Sequence, residues 1–320
     1  MIRATSGNQA YWDKWTKFRL ETILNEESIF LTPSENPIYR PQYVLNNVQH
    51  RLRYILTCYS AGVDIAALPQ YFTGLLDAWE LSNRLSDEIC KEHKLTTCRD
   101  WDFSLSNLNH YNWCFWLVGL ALCLEISEDK WQRLVTLIGS EGEDVLLDRV
   151  IACRSPNRKI GSALLHKKPY ARLLRAIDTP LDIQTAQSLT QSLNIKPYSL
   201  RFKNDAIKGQ QATRLRDFVD HWYIELKRPA PKNKRAPTVE PFWYIFGDPV
   251  KHPLEMGSYF GRWCIEAAAA VKAFGLDDSL CLGHENYPGD LLRPDGPTTH
   301  PIRIVPKQGL LARLFGKEKG

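Results

Sequence analysis

The 320-residue sequence predicts an all-α protein of two lobes and roughly ten helices. Three observations carry that expectation. Apolar residues recur at three-and-four spacing over long stretches, helix start and stop signals separate these stretches, and alternating strand text is confined to Ile302 to Val305. With 44% hydrophobic and 24% charged residues, the chain is folded rather than disordered and has apolar material for two ordinary cores. Ten Trp, thirteen Tyr and twelve Phe imply large buried aromatic contacts, and only two Met argue against a pliable Met-rich groove.

The elements follow in order. Val48, Leu52, Ile55, Leu56 and Tyr59 share one helix face, Gly62 marks a turn, and Leu68, Tyr71, Phe72, Leu75, Leu76 and Trp79 form the next face. Trp113 to Leu124 is an apolar run of about twelve residues, short of the ~20 that a bilayer span needs, and reads as a buried helix. Ser127 with Glu128 and Asp129 starts a helix that continues through Trp131, Leu134, Val135 and Ile138. Thr179 and Pro180 repeat the start signal. Leu215, Phe218, Val219, Trp222 and Leu226 form a further stripe. A last helix is expected from Tyr259 to Phe274, stopping at Gly275 in a left-handed cap.

Proline-rich punctuation falls at 32–41, at the basic stretch 227–241 and from Pro294 onward. The expected division is an N-terminal helical domain over 1–155, a C-terminal one over 156–295 and a Pro/Gly-rich tail over 296–320. The N-terminus carries no signal-peptide pattern, so the eight cysteines are read as reduced thiols of a cytoplasmic protein, with no membrane partner.

Charge is informative once divided. The chain's net +5 conceals a net −6 over residues 46–150 and +12 over 151–235. Surfaces of opposite sign would produce this pattern, and so would ordinary solvated helix faces.

Several chemistries are absent from the text. There is no Gly-rich phosphate loop, nucleophile elbow, zinc-binding HExxH or EF-hand loop. Cys90, His93 and Cys98, with His110 and Cys114 further on, match no common zinc module, so neither metal nor cofactor is expected. Glu266 lies within apolar helical text and must be paired or hydrogen-bonded if buried, as a tie to an Arg, a Tyr or a backbone N–H, or else as a functional acid. Asp277 and Asp278 follow a helix end and can cap the next turn, with Tyr287 and Pro288 packing the returning loop. An enzyme built on Glu266, His284 and Asp290 lacks a nucleophile or metal to work with, and no enzymatic activity is expected. The basic segment 154–235, interleaved with Tyr170, Tyr198, Phe202 and Trp222, offers the alternative of a nucleic-acid-binding regulator, but no DNA-binding motif accompanies it.

One stretch resembles a known family. Tyr259, Trp263, Cys264, Glu266, the alanines after it, Gly275, Asp277 and Asp278, followed by Tyr287, Pro288 and Asp290, are similar to the C-terminal signature of the PoNi immunity proteins. Arg51 to Tyr59, the turn Ser60 to Gly62, Leu68 to Trp79 and Gly139 to Asp148 resemble the companion N-terminal domain, so the likeness spans most of residues 10–293. The long basic loop 227–255 and the tail from Pro294 depart from it.

The resemblance implies an all-helical cytosolic protein that neutralises a cognate toxin, typically a nuclease delivered by a type VI or related contact-dependent system. A nuclease presents cations to phosphate, so an inhibitor gains from an acidic surface. The candidate toxin contacts are therefore Asp87, Glu88, Glu92, Asp100, Asp102, Glu141, Glu143 and Asp144, with Trp101 and Phe103 as aromatic anchors. Trp263, Glu266, Gly275, Asp277, Asp278, Tyr287, Pro288 and Asp290 are expected to be structural. The oligomeric state is left open.

Overall fold

The computed structural model describes residues 1–30, 32–97, 103–178, 198–227, 241, 243–244 and 247–301, without the side chains of 198–208. Among these residues the protein is all-α, with nine α-helices and no strand. The helix start at Thr179 and Pro180, the strand candidate at Ile302 to Val305 and most of the basic loop 227–241 lie outside the described residues.

Helix α1 (Gln9–Phe30) begins at Asn8, whose side chain accepts the Tyr11 N–H. Helix α2 (Arg40–Ala61) carries Pro41 in its first turn, where the missing N–H costs nothing, and ends at Gly62 with φ 88°. Helix α3 (Tyr71–His93) follows a short 3-10 turn capped by Asp64. Helix α2 packs between α1 and α3, so its apolar residues are buried on both flanks.

Helix α4 (Leu108–Cys123) is buried at nearly every position, as its uniformly apolar text dictates. Helix α5 (Glu128–Ile138) starts after Ser127 with two acids in its first turn, although the Ser127 hydroxyl makes no cap bond. Then come α6 (Val145–Ala152), α7 (167–178) and α8 (Tyr198–Glu225).

Helix α9 (Ile265–Phe274) ends at Gly275 with φ 64°, as its sequence predicts. Its expected start at Tyr259 is corrected: residues 259–264 are non-helical. Gly261 has φ 101°, which the helix cannot accommodate. The Tyr259 and Phe260 carbonyls instead accept the Tyr11 and Ser60 hydroxyls.

Helices α4 and α9 form the centre of the molecule. Their approach is close because small residues meet there: a Cβ on Gly119 would stand 2.8 Å from Ile265 Cγ2 and 3.0 Å from Ala269 Cβ. One continuous cluster of buried apolar residues runs from Ala4 to Leu291, so the two halves of the chain share a core. No described helix is long and apolar enough to cross a membrane.

Candidate functional site

The acidic candidates separate into exposed and buried groups. Asp87, Glu88 and Glu92 are exposed on the last turns of α3. The first half of the same helix is already paired: Arg133 of α5 binds Asp77 at 2.6 Å and Glu80 at 2.8 Å. Glu141 and Glu143 are exposed in the loop between α5 and α6, where Glu141 also accepts the Lys159 backbone N–H. Asp100, Trp101 and Asp102 lie outside the described residues.

Asp144 is a correction. It is fully buried, caps α6 by accepting the Leu146 and Leu147 N–H groups, and takes further bonds from the Leu165 N–H and the Tyr111 hydroxyl. A carboxylate so engaged cannot meet a partner, and its role is to start a helix. Phe103 is half-buried rather than presented: it stacks on His110 at 5.1 Å and tilts against Trp79 at 5.6 Å. Burial lowers the His110 pKa to about 4, and the neutral ring accepts the Ser104 N–H, fixing the approach to α4.

Some of the charges of the sequence are paired within the fold. Arg158 meets Asp148 at 2.8 Å with both side chains buried, Arg154 reaches Glu128 at 3.0 Å, and Lys272 reaches Glu125 at 2.6 Å. Within the basic segment, Arg172 bridges Asp217 and Glu225, and Arg216 pairs with Asp220. Pairing between the two segments involves Arg154 and Arg158, with Arg149 and Asp178 in the opposite sense.

The motif residues form three polar clusters. Glu266, fully buried, accepts the Tyr170 hydroxyl at 3.0 Å and the Asn112 and Trp222 N–H groups at 3.2 Å on its Oε1. Burial pushes its pKa up to about 7 against the pull of these donors. Asp278 accepts the Tyr287 hydroxyl at 2.6 Å and a forked pair from Arg293, so it is an ion-pair centre rather than the cap its position suggests. Asp277 does cap the turn, accepting the Ser279 N–H. Asp290 binds Arg3 at 2.9 Å together with Thr298 and Thr299. Trp263 donates to the Ser60 hydroxyl, and Pro288 precedes the short 3-10 turn that carries Asp290.

The structure does not gather Glu266, His284 and Asp290 into one site. His284 faces Asp220 of α8 at 3.2 Å, while the other two belong to the separate clusters just described. The Tyr170 bond is the expected tie of Glu266 to a Tyr; sequence reasoning missed Asn112 and Trp222 as its other partners, although an Asn at the edge of the apolar α4 run was a visible signal of a buried polar contact. The Asp148–Arg158 pair had no sequence signal beyond its residue types.

Residues 3–136 match the family model described as PoNe immunity protein (PoNi), N-terminal, and residues 142–291 match PoNe immunity proteins (PoNi), C-terminal. The chain belongs to the PoNi family. Its role is therefore toxin immunity, with a cognate toxin as partner. The Glu266 cluster joins the two PoNi regions, because Asn112 comes from the first and Glu266, Tyr170 and Trp222 from the second. Asp144 and Tyr111 join them again. A comparison with curated proteins finds no match. Among solved structures, protein PA2201 from Pseudomonas aeruginosa has a similar fold, with TM-score 0.59 and 15% identity over 92% of this chain and 91% of that one.

Proposed function

We propose that this PoNi protein neutralises a secreted nuclease effector of a type VI or contact-dependent system by forming a stoichiometric complex with it. The carrying observation is the exposure of Asp87, Glu88 and Glu92 at the end of α3, beyond the carboxylates that Arg133 ties down. A nuclease concentrates cations where it holds phosphate, and exposed carboxylates compete for those cations and speed capture. Glu141 and Glu143, with Asp100, Trp101 and Asp102, extend the proposed contact set; Asp144 is excluded by burial.

The decisive experiment co-expresses the chain with the toxin encoded by its neighbouring gene. Complex formation and rescue of growth are expected, with nuclease activity of the toxin lost in the complex. A toxin that binds but cleaves no nucleic acid would remove the nuclease assignment and leave the immunity role intact. The nucleic-acid reading of segment 154–235 stands second, because no DNA-binding motif accompanies its eighteen Lys and Arg residues, of which Arg154, Arg158, Arg172 and Arg216 are engaged by carboxylates of the chain.

A further inference from the structure

The two ends of the described chain meet, although 287 residues separate Arg3 from Asp290. Residues 1–8 lie outside any helix and are held on the body by the buried Ala4, by Ile2 packed against the core and by a few specific bonds. The Arg3 and Ala4 N–H groups donate to the Ser60 carbonyl, at 2.9 and 3.2 Å. The Arg3 guanidinium donates through Nη1 to the Tyr59 and Val63 carbonyls, at 3.1 and 2.8 Å, and so seals the end of α2. Its Nε donates to Asp290 Oδ2 at 2.9 Å, and both side chains are largely removed from water.

Asp290 is held from the opposite side by the segment after the PoNi match, which ends at residue 291. The Thr298 hydroxyl donates to Oδ2 at 2.9 Å, while the Thr299 N–H and hydroxyl donate to Oδ1 at 2.6 and 2.9 Å. Burial by itself would raise the Asp290 carboxyl, yet Thr299, His300 and Arg3 together hold it below its ordinary value, so the group is a carboxylate. His300 continues the contact: its Nε2 and the Tyr59 hydroxyl share a 2.9 Å hydrogen bond, and its ring lies 5.0 Å from that of Trp263. The fit allows no bulk at the crossing, since a Cβ on Gly289 would strike the Thr299 hydroxyl.

We propose that Thr298, Thr299 and His300 form a latch that keeps Asp290 aimed at Arg3, so that the N-terminal segment and the C-terminal strap close and open as one unit. A carboxylate with three donors on one side and the cation on the other has a single orientation, and removing the threonine hydroxyls frees it to turn toward water. The Arg3 contact then weakens, and with it the bonds of residues 3 and 4 to Ser60. The 3-10 turn that carries Asp290 packs against α4 and α9 and stays with them, so opening moves only residues 1–4 and 298–301. The device is a property of the isolated chain and is independent of what the protein binds.

Amide hydrogen exchange on the purified full chain tests the proposal. Thr298→Val with Thr299→Val removes both hydroxyl donors while keeping side-chain shape. The expected result is roughly tenfold faster exchange at Arg3 and Ala4, as well as at Thr299 and His300, with the amides of α4 and α9 unchanged. Thr299→Ser, which restores a hydroxyl, returns most of the protection. Arg3→Gln accelerates Thr299 exchange by a comparable factor, and combining it with the double valine change adds little, because both act through Asp290. Unchanged exchange at Arg3 and Ala4 in the double valine variant would overturn the latch, and so would fully additive effects. Should the double variant fold poorly, the single Thr298→Val and Arg3→Gln variants carry the same comparison.

Discussion

The Tyr170 hydroxyl stands 3.0 Å from Glu266 Oε1, and this bond lies at the point where helices from both PoNi regions converge on one buried carboxyl. Glu266 Oε2 has no hydrogen-bond partner among the described residues, so the group is easier to bury protonated than charged.

That arrangement fixes the sign of a pH effect. The folded-state pKa of about 7 exceeds the ordinary carboxyl value of 4.5, so the folded protein holds the extra proton between them. Its contribution to stability is complete below 4.5 and is lost as pH rises through about 7. Glu266→Gln should flatten the stability profile over this window, by on the order of 3 kcal/mol, as read by urea denaturation at pH 5 and pH 8. An unchanged slope would remove Glu266 as its source.

The buried Asp148–Arg158 pair should be costly to break from either side. Asp148 also accepts the Gly142, Asp144 and Gly161 N–H groups, and Arg158 donates to the Gly139 carbonyl, so each is a hub of its loop. Arg158→Met is expected to destabilise by about 3–5 kcal/mol, and Asp148→Asn combined with it by much less than the sum of the two singles. Thermal denaturation of the three variants measures the coupling.

Asp144 and the α3 acids should separate stability from binding. Asp144→Ala removes a helix cap and a buried partner of Tyr111, and a loss of about 2 kcal/mol or more in unfolding free energy is expected. Reversing Asp87, Glu88 and Glu92 to Lys should leave the unfolding midpoint nearly unchanged but slow association with the toxin about tenfold or more at low salt, an effect that fades as salt rises. Stopped-flow association together with thermal denaturation distinguishes the two classes.

Gly119→Val should fail by overpacking. A side chain there meets Ile265 and Ala269 below ordinary contact distance, and about 1–3 kcal/mol of destabilisation is expected, with partial recovery on Ile265→Ala. Calorimetry of the pair measures both the loss and the recovery.

The helical architecture was legible because periodicity and stop signals act locally: Gly62 and Gly275 end their helices in the left-handed conformation that their sequence positions suggest. Tyr259, Phe260 and Trp263 misled for a physical reason. Their spacing suits a helix face, yet Gly261 takes a conformation that breaks the helix and each aromatic residue is buried from a non-helical segment instead. Asp144 was legible as an acid but not as a buried one, since its burial depends on Tyr111 and Leu165, distant in sequence, whereas its cap bonds to the Leu146 and Leu147 N–H groups are local. The opposite charges of adjacent segments fitted opposed surfaces and ordinary solvated faces alike, and the pairing of Arg154 with Glu128 and of Arg158 with Asp148 forms only with the tertiary fold.

The glycine and alanine seam between α4 and α9 bears on how such a chain can change over generations. Gly119 belongs to one PoNi region and Ile265 and Ala269 to the other, and their surfaces mesh without space to spare. Exchange of one half for a relative's by recombination would bring together seams that had never been matched, and each added methyl group there would cost the hybrid stability. Substitutions on the exposed last turns of α3 leave this seam untouched and are therefore easier to accommodate than an exchange of halves.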